Sequence, residues 1–287
     1  MTTATLTPAR DSTARDSLVQ HIPLHMLRGK DRFWADRLLS LFKGKTIDGV
    51  EWSIKFSFAG LAGNRFLLGI RREHWNELDV SALSRQLAIP QPLWMRILQD
   101  MEQARAIFFA YEPDEEGGDT YRVYLEIMPA LEALRRHGVL PLGYGYKWHP
   151  ATAGVAAVTA YRMRHLENRE AFDGYLQPYL ERLAQPVLRQ VAENVIARAT
   201  ATGDPRHFMF LEVDEADTRR DSFTVTFHGA HLPLRDFIPS LLRLADSLAL
   251  SRSEVLELFV PDEPRTLSSL AAGTSRDGHE FLTVYYD

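Results

Sequence analysis

The chain has 287 residues, 45% of them hydrophobic, and 38 acidic against 33 basic side chains give a formal net charge of -5 at pH 7. That length suffices for one large domain or two of medium size with a substantial core, and the acidic balance argues against non-specific nucleic-acid binding, so any basic site must be local. There are no cysteines, which excludes disulfides, thiolate catalysis and cysteine-based zinc or iron–sulfur centres.

Residues 1–20, rich in Thr, Ala, Ser and Asp with scattered Arg, read as a flexible N-terminal arm, and 21–287 as one domain. The arm lacks the apolar core of a signal peptide, and no apolar run approaches the roughly 20 residues of a spanning helix, so a cytoplasmic location without membrane engagement is expected. From Leu24 to Gly44 the pattern is helical, with Phe33, Leu38, Leu39, Leu41 and Phe42 on one flank. The stretch Glu51-Trp52-Ser53-Ile54-Lys55-Phe56-Ser57-Phe58 then alternates strictly. On a strand this puts Glu51, Ser53, Lys55 and Ser57 on one face and Trp52, Ile54, Phe56 and Phe58 on the other. A turn over 60–63 leads to a second strand over 65–70.

Residues 79–104 read as two helices separated at Pro90 and Pro92, because a proline disfavours helix in the residue before it. A hairpin follows over 106–112 and 120–127 across an acidic, glycine-containing tip. A short helix over 129–136 precedes strands over 143–149 and 155–163. A long helical region from 167 to 201, interrupted near Pro186, ends at Gly203-Asp204-Pro205. Strands over 207–213 and 222–228, helices over 234–248 and 251–259, and a last strand pair over 265–272 and 279–286 complete the chain. Leu83, Leu87, Ile89, Gly117, Val123 and Tyr124 align at one constant offset with Leu244, Leu248, Leu250, Gly278, Val284 and Tyr285, in two segments with the same order of helix, break, helix and hairpin.

An isolated hairpin is marginal in water, and a twisted sheet of about ten strands tends to curl, so the hairpins predict a closed antiparallel β-barrel surrounded by helices, of α+β class. Two smaller α+β domains joined near 130–140 fit the same elements. In a helix-wrapped barrel the outer strand face is apolar and the inner one can be polar. Thr120, Arg122, Tyr124 and Glu126 oppose Tyr121, Val123, Leu125 and Ile127. Gly143, Gly145, Lys147 and His149 oppose Tyr144, Tyr146 and Trp148, and Ser222, Thr224, Thr226 and His228 oppose Phe223, Val225 and Phe227. Thr159, Tyr161, Met163, Thr283 and Tyr285 are candidates for the same inner face. An open sheet with one wet face is the plainer alternative.

On an enclosed face, Lys55, Arg65, Arg122 and Lys147 would be cations short of carboxylate partners, and buried unpaired charge calls for a bound anion, with diphosphate the natural candidate. Tyr124, Tyr161 and Tyr285 add aromatic faces able to stabilise a cation, and Glu51 is a carboxylate placed to take a proton from an acceptor nucleophile. The plain readings are core tyrosines and a Glu51–Lys55 pair. Glu126, Glu212 and Asp214 are acidic residues expected near the lumen.

The run Ile47-Asp48-Gly49-Val50-Glu51-Trp52-Ser53-Ile54-Lys55, with Arg65-Phe66-Leu67-Leu68 downstream, resembles the opening of the cyanobactin-type peptide prenyltransferases, where a Glu-x-Ser-x-Lys strand and an Arg-Phe-Leu-Leu strand recur at this spacing. The likeness extends through Arg122-Val123-Tyr124, the 143–161 strand pair and Tyr285-Tyr286, from about residue 23 to the end. It implies the ABBA prenyltransferase barrel and transfer of a dimethylallyl or geranyl group from its diphosphate to a side chain or terminus of a ribosomal, macrocyclic peptide. It further implies Glu51 as base and Lys55, Arg65 and Arg122 as diphosphate ligands. Lys147 would compensate for Leu282, where the family has a basic residue. Tyr124, Tyr161 and Tyr285 become cation-shielding aromatics, and Met209 and Phe210 walls of the prenyl pocket. Magnesium is expected only as a companion of the diphosphate, because the chain has no Asp-Asp-x-x-Asp motif, and no organic cofactor or nucleic-acid partner is expected. A monomer is expected. The competing functions are prenylation of a small aromatic molecule, binding of an anionic or lipidic ligand without reaction, and a purely structural role.

Overall fold

The computed structural model describes residues 29–113, 119–216, 218–259 and 265–287. The expected arm over 1–20 lies outside them. Helix α1 (Gly29–Ser40) precedes strands β1 (Gly49–Ser57) and β2 (Gly60–Arg71), a 3₁₀ segment (Arg72–Glu77), and helices α2 (Val80–Gln86) and α3 (Gln91–Met101). The hairpin β3 (Ala106–Glu112) and β4 (Thr120–Glu126), helix α4 (Leu131–His137), and strands β5 (Val139–His149) and β6 (Gly154–Arg164) follow. Helices α5 (Arg169–Arg182) and α6 (Pro186–Thr202) lead to β7 (Met209–Asp214), β8 (Asp221–Thr226) and the two-residue β9 (Leu232–Pro233). Helices α7 (Ile238–Ser247) and α8 (Arg252–Leu258) precede the final hairpin, β10 (Thr266–Thr274) and β11 (Glu280–Tyr286).

The strands form one sheet in the order β11-β1-β2-β3-β4-β5-β6-β7-β8-β10-β9, and β11 also pairs with β10, so the sheet closes on itself as an antiparallel barrel. The five expected hairpins are all present, and the open-sheet alternative is overturned by the β10–β11 pairing. Chain contacts resolve into two compact units, one comprising Asn64–Met128, Leu142–Thr159 and the chain up to Trp52, the other Ser53–Gly63, Pro129–Pro141 and Ala160–Asp287.

In the first unit the apolar strand face is covered by helices. Phe109 packs on Phe42 with ring centroids 4.9 Å apart, and Tyr121 meets Trp34 edge-on at 6.1 Å. The polar tips of this face are used as well: Tyr121 Oη donates to Trp34 O at 2.6 Å, Trp148 Nε1 donates to Leu87 O at 2.8 Å, and Tyr146 donates to the Asp100 carboxylate. Each aromatic body supplies buried area while its polar atom ties the sheet to a helix.

In the second unit the covered face carries Phe210 and Phe223, stacked at 5.8 Å and capped by Tyr175 and Tyr179 of α5. Glu280 of β11 accepts the N–H groups of Ala184 at 2.6 Å and Gln185 at 2.9 Å, tying the strand to the turn that leads into α6 and placing a carboxylate at the start of that helix. Helix starts are set locally: Asp79 accepts from Ala82 N, Asn168 from Ala171 N, and Ser251 from Glu254 N. Helices α2 and α7 end alike. Ala88 and Ala249 adopt left-handed φ of 51° and 56°, and the next residues, Ile89 and Leu250, donate back to Ser84 O and Ala245 O at 2.9 and 2.8 Å. These pairs share the offset of the repeat seen in the sequence.

Candidate functional site

The site grows from strand register in the first unit. Leu67 faces Ala110, Ala110 faces Arg122, and Arg122 faces Lys147 across β2, β3, β4 and β5. Directly opposed residues share a sheet face, and so do residues two apart along a strand. Arg65, Glu112, Arg122 and Lys147 therefore lie together on the face that the helices do not cover.

Glu112 is the hub. Its Oε1 accepts from Arg65 Nη2 at 2.9 Å and lies 2.9 Å from Arg122 Nη2, while Oε2 accepts from Lys147 Nζ at 2.8 Å. Burial disfavours the charged carboxylate, but Arg122, Lys147 and Arg65 outweigh it and hold Glu112 well below the usual carboxylate range. Burial also pushes the Lys147 ammonium down, opposed by Glu112 and reinforced by Arg122 and Arg65. Counted over these four described side chains, three cations around one carboxylate leave two net positive charges in a mostly buried place. Arg65 Nη1 is buried with no hydrogen-bond partner among the described residues. An orphaned guanidinium N–H beside excess positive charge is what an anion site requires.

Beside this cluster lies an apolar patch on the same face. Phe108 and Ala106 are packed with Leu67 and Tyr124, and the Phe108 and Tyr124 rings are 5.5 Å apart. Gly143 makes room: a Cβ there would fall 2.0 Å from Leu125 O and 3.1 Å from the Tyr124 hydroxyl. Glu126 is buried on this face, opposite Ala106 and Gly143. Glu51, on the part of β1 in the first unit, is half-buried.

In the second unit, Lys55 Nζ stands 5.1 Å from the centroid of the Phe281 ring. Phe281 shares its face with Thr283 and Tyr285, and through β10 and β8 with Thr224 and Thr226. Ser269 Oγ donates to Thr226 Oγ1 at 3.0 Å on that face. Tyr161, Met163 and Met209 lie on it too, by the register of β6, β7 and β8. His228, just past β8, has its Nε2 buried without a partner among the described residues, and burial keeps its imidazole below its ordinary pKa.

Phe210 is a correction. It was expected beside Met209 in a prenyl pocket, but consecutive strand residues point to opposite faces, and Phe210 is fully buried against Phe172, Tyr175, Tyr179 and Phe223 under α5. Glu212 lies on that same covered face, where Arg164 donates to it at 2.8 Å, and exposed Asp214 pairs with Arg162, so neither belongs to the polar face. The expected shortage of carboxylates also needs amending, because Glu112 serves three cations at once. Glu112 and Phe108 were missed because β3, Ala-Ile-Phe-Phe-Ala-Tyr-Glu, is apolar on both faces and shows no alternation, and because Glu112 adjoins an acidic tip. An open depression of about 620 Å³ along α3, lined by Pro92, Met95, Arg96, Leu98, Gln99 and Glu102, contains none of the expected site residues.

No family model matches the chain, and comparison with curated proteins gives no match. Solved structures do match. PriB in a ternary complex with L-tryptophan and dimethylallyl thiolodiphosphate is 17% identical, with a TM-score of 0.54 over 95% of this chain and 94% of its own. NotF in complex with brevianamide F and DMSPP is 11% identical, with a TM-score of 0.56 over 95% and 92%. A 6-dimethylallyltryptophan synthase from Micromonospora olivasterospora, in complex with DMASPP and Trp, is 11% identical, with a TM-score of 0.54 over 82% and 80%. At these identities the likeness establishes the fold: a closed antiparallel barrel with surrounding helices, as in the prenyltransferases. No helix among the described residues is long and apolar enough to cross a membrane.

Proposed function

We propose that the chain is a prenyltransferase that moves a dimethylallyl or geranyl group from its diphosphate to a side chain or terminus of a ribosomal, macrocyclic peptide. One observation carries the reading: three cations and an orphaned Arg65 N–H gathered on the uncovered strand face of a fold shared with prenyltransferases.

In this mechanism the bond between the allylic carbon and the diphosphate oxygen breaks, and its electron pair leaves with the diphosphate. Arg65, Arg122 and Lys147 stabilise that developing charge, and Lys55 is assigned to the same task. Tyr124, Tyr161 and Tyr285 shield the allylic cation from water with their π faces, and Met209 lines the hydrocarbon tail. The acceptor nucleophile attacks the cation, and Glu51 takes its proton. Magnesium enters only as a companion of the diphosphate. Among the described residues no group of three His, Asp or Glu side chains could hold a metal, and both oxygens of Glu112 are occupied by cations, so no residue of this chain is assigned to it.

A second reading, prenylation of a small aromatic acceptor, is favoured by the tryptophan and brevianamide F complexes of the structural neighbours. Incubation with dimethylallyl or geranyl diphosphate against a panel of cyclic peptides, L-tryptophan and cyclic dipeptides, read by mass spectrometry, separates the two. Prenylated macrocycle supports the first reading, product from the small acceptors alone supports the second, and no product with any pair sinks both.

A further inference from the structure

Resting on the reading of this cluster as a diphosphate site, we infer that Glu112 is a resident counter-ion that positions Arg65, Arg122 and Lys147 and weakens diphosphate binding enough for the product to leave. Four features of the cluster carry this.

First, the carboxylate is engaged on both oxygens. Oε1 serves two guanidinium groups and Oε2 the ammonium, so three of its roughly four acceptor sites already face cations, and its charge is committed to them. Second, Arg65 is not saturated. Its Nη1 is buried without a hydrogen-bond partner among the described residues, so at least one of its five N–H donors remains for a second anion after Glu112 has been served. Third, the cluster is graded: side-chain exposure rises from 9% at Arg65 through 19% at Arg122 to 25% at Lys147. An anion arriving from solvent meets Lys147 and Arg122 while Arg65 and Glu112 lie behind them.

The fourth feature is the charge count. Inorganic diphosphate, the product, is at least as highly charged as the diphosphate ester it comes from, so cations that draw the leaving group out also retain the product. With Glu112 ionised the cluster offers two net positive charges, and without it three. In a site of low effective dielectric one elementary charge at hydrogen-bond range dominates the balance. Glu112 lets the cations exist together in the unliganded protein and gives them a partner to return to when the diphosphate departs. It is a positioning and affinity-setting residue and does not touch the reacting atoms.

The test is calorimetric titration of the full chain with inorganic diphosphate at neutral pH and fixed salt, through a series of net charges. Glu112→Gln, which keeps size and removes the charge, is expected to bind at least tenfold more tightly than wild type, with a larger thermal stabilisation by diphosphate. Lys147→Gln is expected to bind at least tenfold more weakly than wild type. The double variant Glu112→Gln/Lys147→Gln, equal in net charge to wild type, is expected to return to within about threefold of it. If Glu112→Gln does not fold, the double variant compared with Lys147→Gln carries the same test and must bind at least tenfold more tightly. Unchanged or weaker binding on removal of the Glu112 charge overturns the inference while leaving the diphosphate site standing. Failure of the underlying reading looks different: neither wild type nor any variant titrates with inorganic diphosphate, and the inference falls with it.

Discussion

Arg65 Nη2 lies 2.9 Å from Glu112 Oε1 across the seam between β2 and β3, with both side chains about nine-tenths withdrawn from solvent. Removing one partner of such a pair strands the other, at a cost of about 3–5 kcal/mol. Glu112→Gln should therefore destabilise the unliganded protein by an amount on that order. Because the folded-state pKa of Glu112 is depressed, the stability it contributes is fully present above the ordinary carboxylate value of 4.5 and is lost as pH falls through the folded-state pKa. Urea unfolding of wild type and variant at descending pH should show the gap closing below 4.5. A gap that stays constant down to strong acid would contradict the assignment.

Glu51→Gln should lower prenyl transfer by roughly 10²–10⁴-fold, the usual range for loss of a general base, with the far-ultraviolet circular dichroism unchanged. Binding of a thio-analogue of the donor should persist in this variant and weaken in Arg65→Ala. Full turnover by Glu51→Gln would take Glu51 out of the mechanism.

Ala88→Gly and Ala249→Gly should each stabilise the fold by roughly 0.5–1 kcal/mol, since both residues hold a left-handed φ that costs an L side chain and not glycine. The same change at Ala192, inside α6 and buried, should cost about 1 kcal/mol. Denaturant midpoints measured side by side decide this, and equal effects at all three positions would refute the backbone argument.

Phe210→Ala should cost about 3–5 kcal/mol, because the ring fills the space between β7, β8 and α5. Donor preference should not follow that loss of stability, whereas Met209→Ala, on the other face, should alter it. Competition between dimethylallyl and geranyl diphosphate in each variant reads this directly, and an altered preference in Phe210→Leu would restore the residue to the pocket.

Much of the architecture was legible because the strands advertise their faces. Trp52, Ile54 and Phe56 against Ser53 and Lys55, or Tyr121, Val123 and Leu125 against Arg122 and Tyr124, announce a sheet with one covered side, and the prolines at 90 and 186 mark helix boundaries. Even the repeat, carried by a few leucines, has a physical counterpart in the matched helix ends at Ala88 and Ala249. The hub of the site was not legible. Glu112 stands on a strand with no polar alternation, and its partners Arg65, Arg122 and Lys147 reach it from three other strands, a convergence that only register determines. Phe210 failed differently, because its chemistry suits a hydrocarbon pocket while the two-residue period assigns it to the helices.

Strand β10 is flanked by β8 and β11, and the circuit of pairings returns to its beginning, so among the described residues the sheet presents no long row of open main-chain groups. A peptide approaching the described sheet finds no long edge to extend as one more strand. Any peptide acceptor must instead be gripped through its side chains or its ends. Macrocycles that share the modified residue but differ in the side chains around it should then compete unequally.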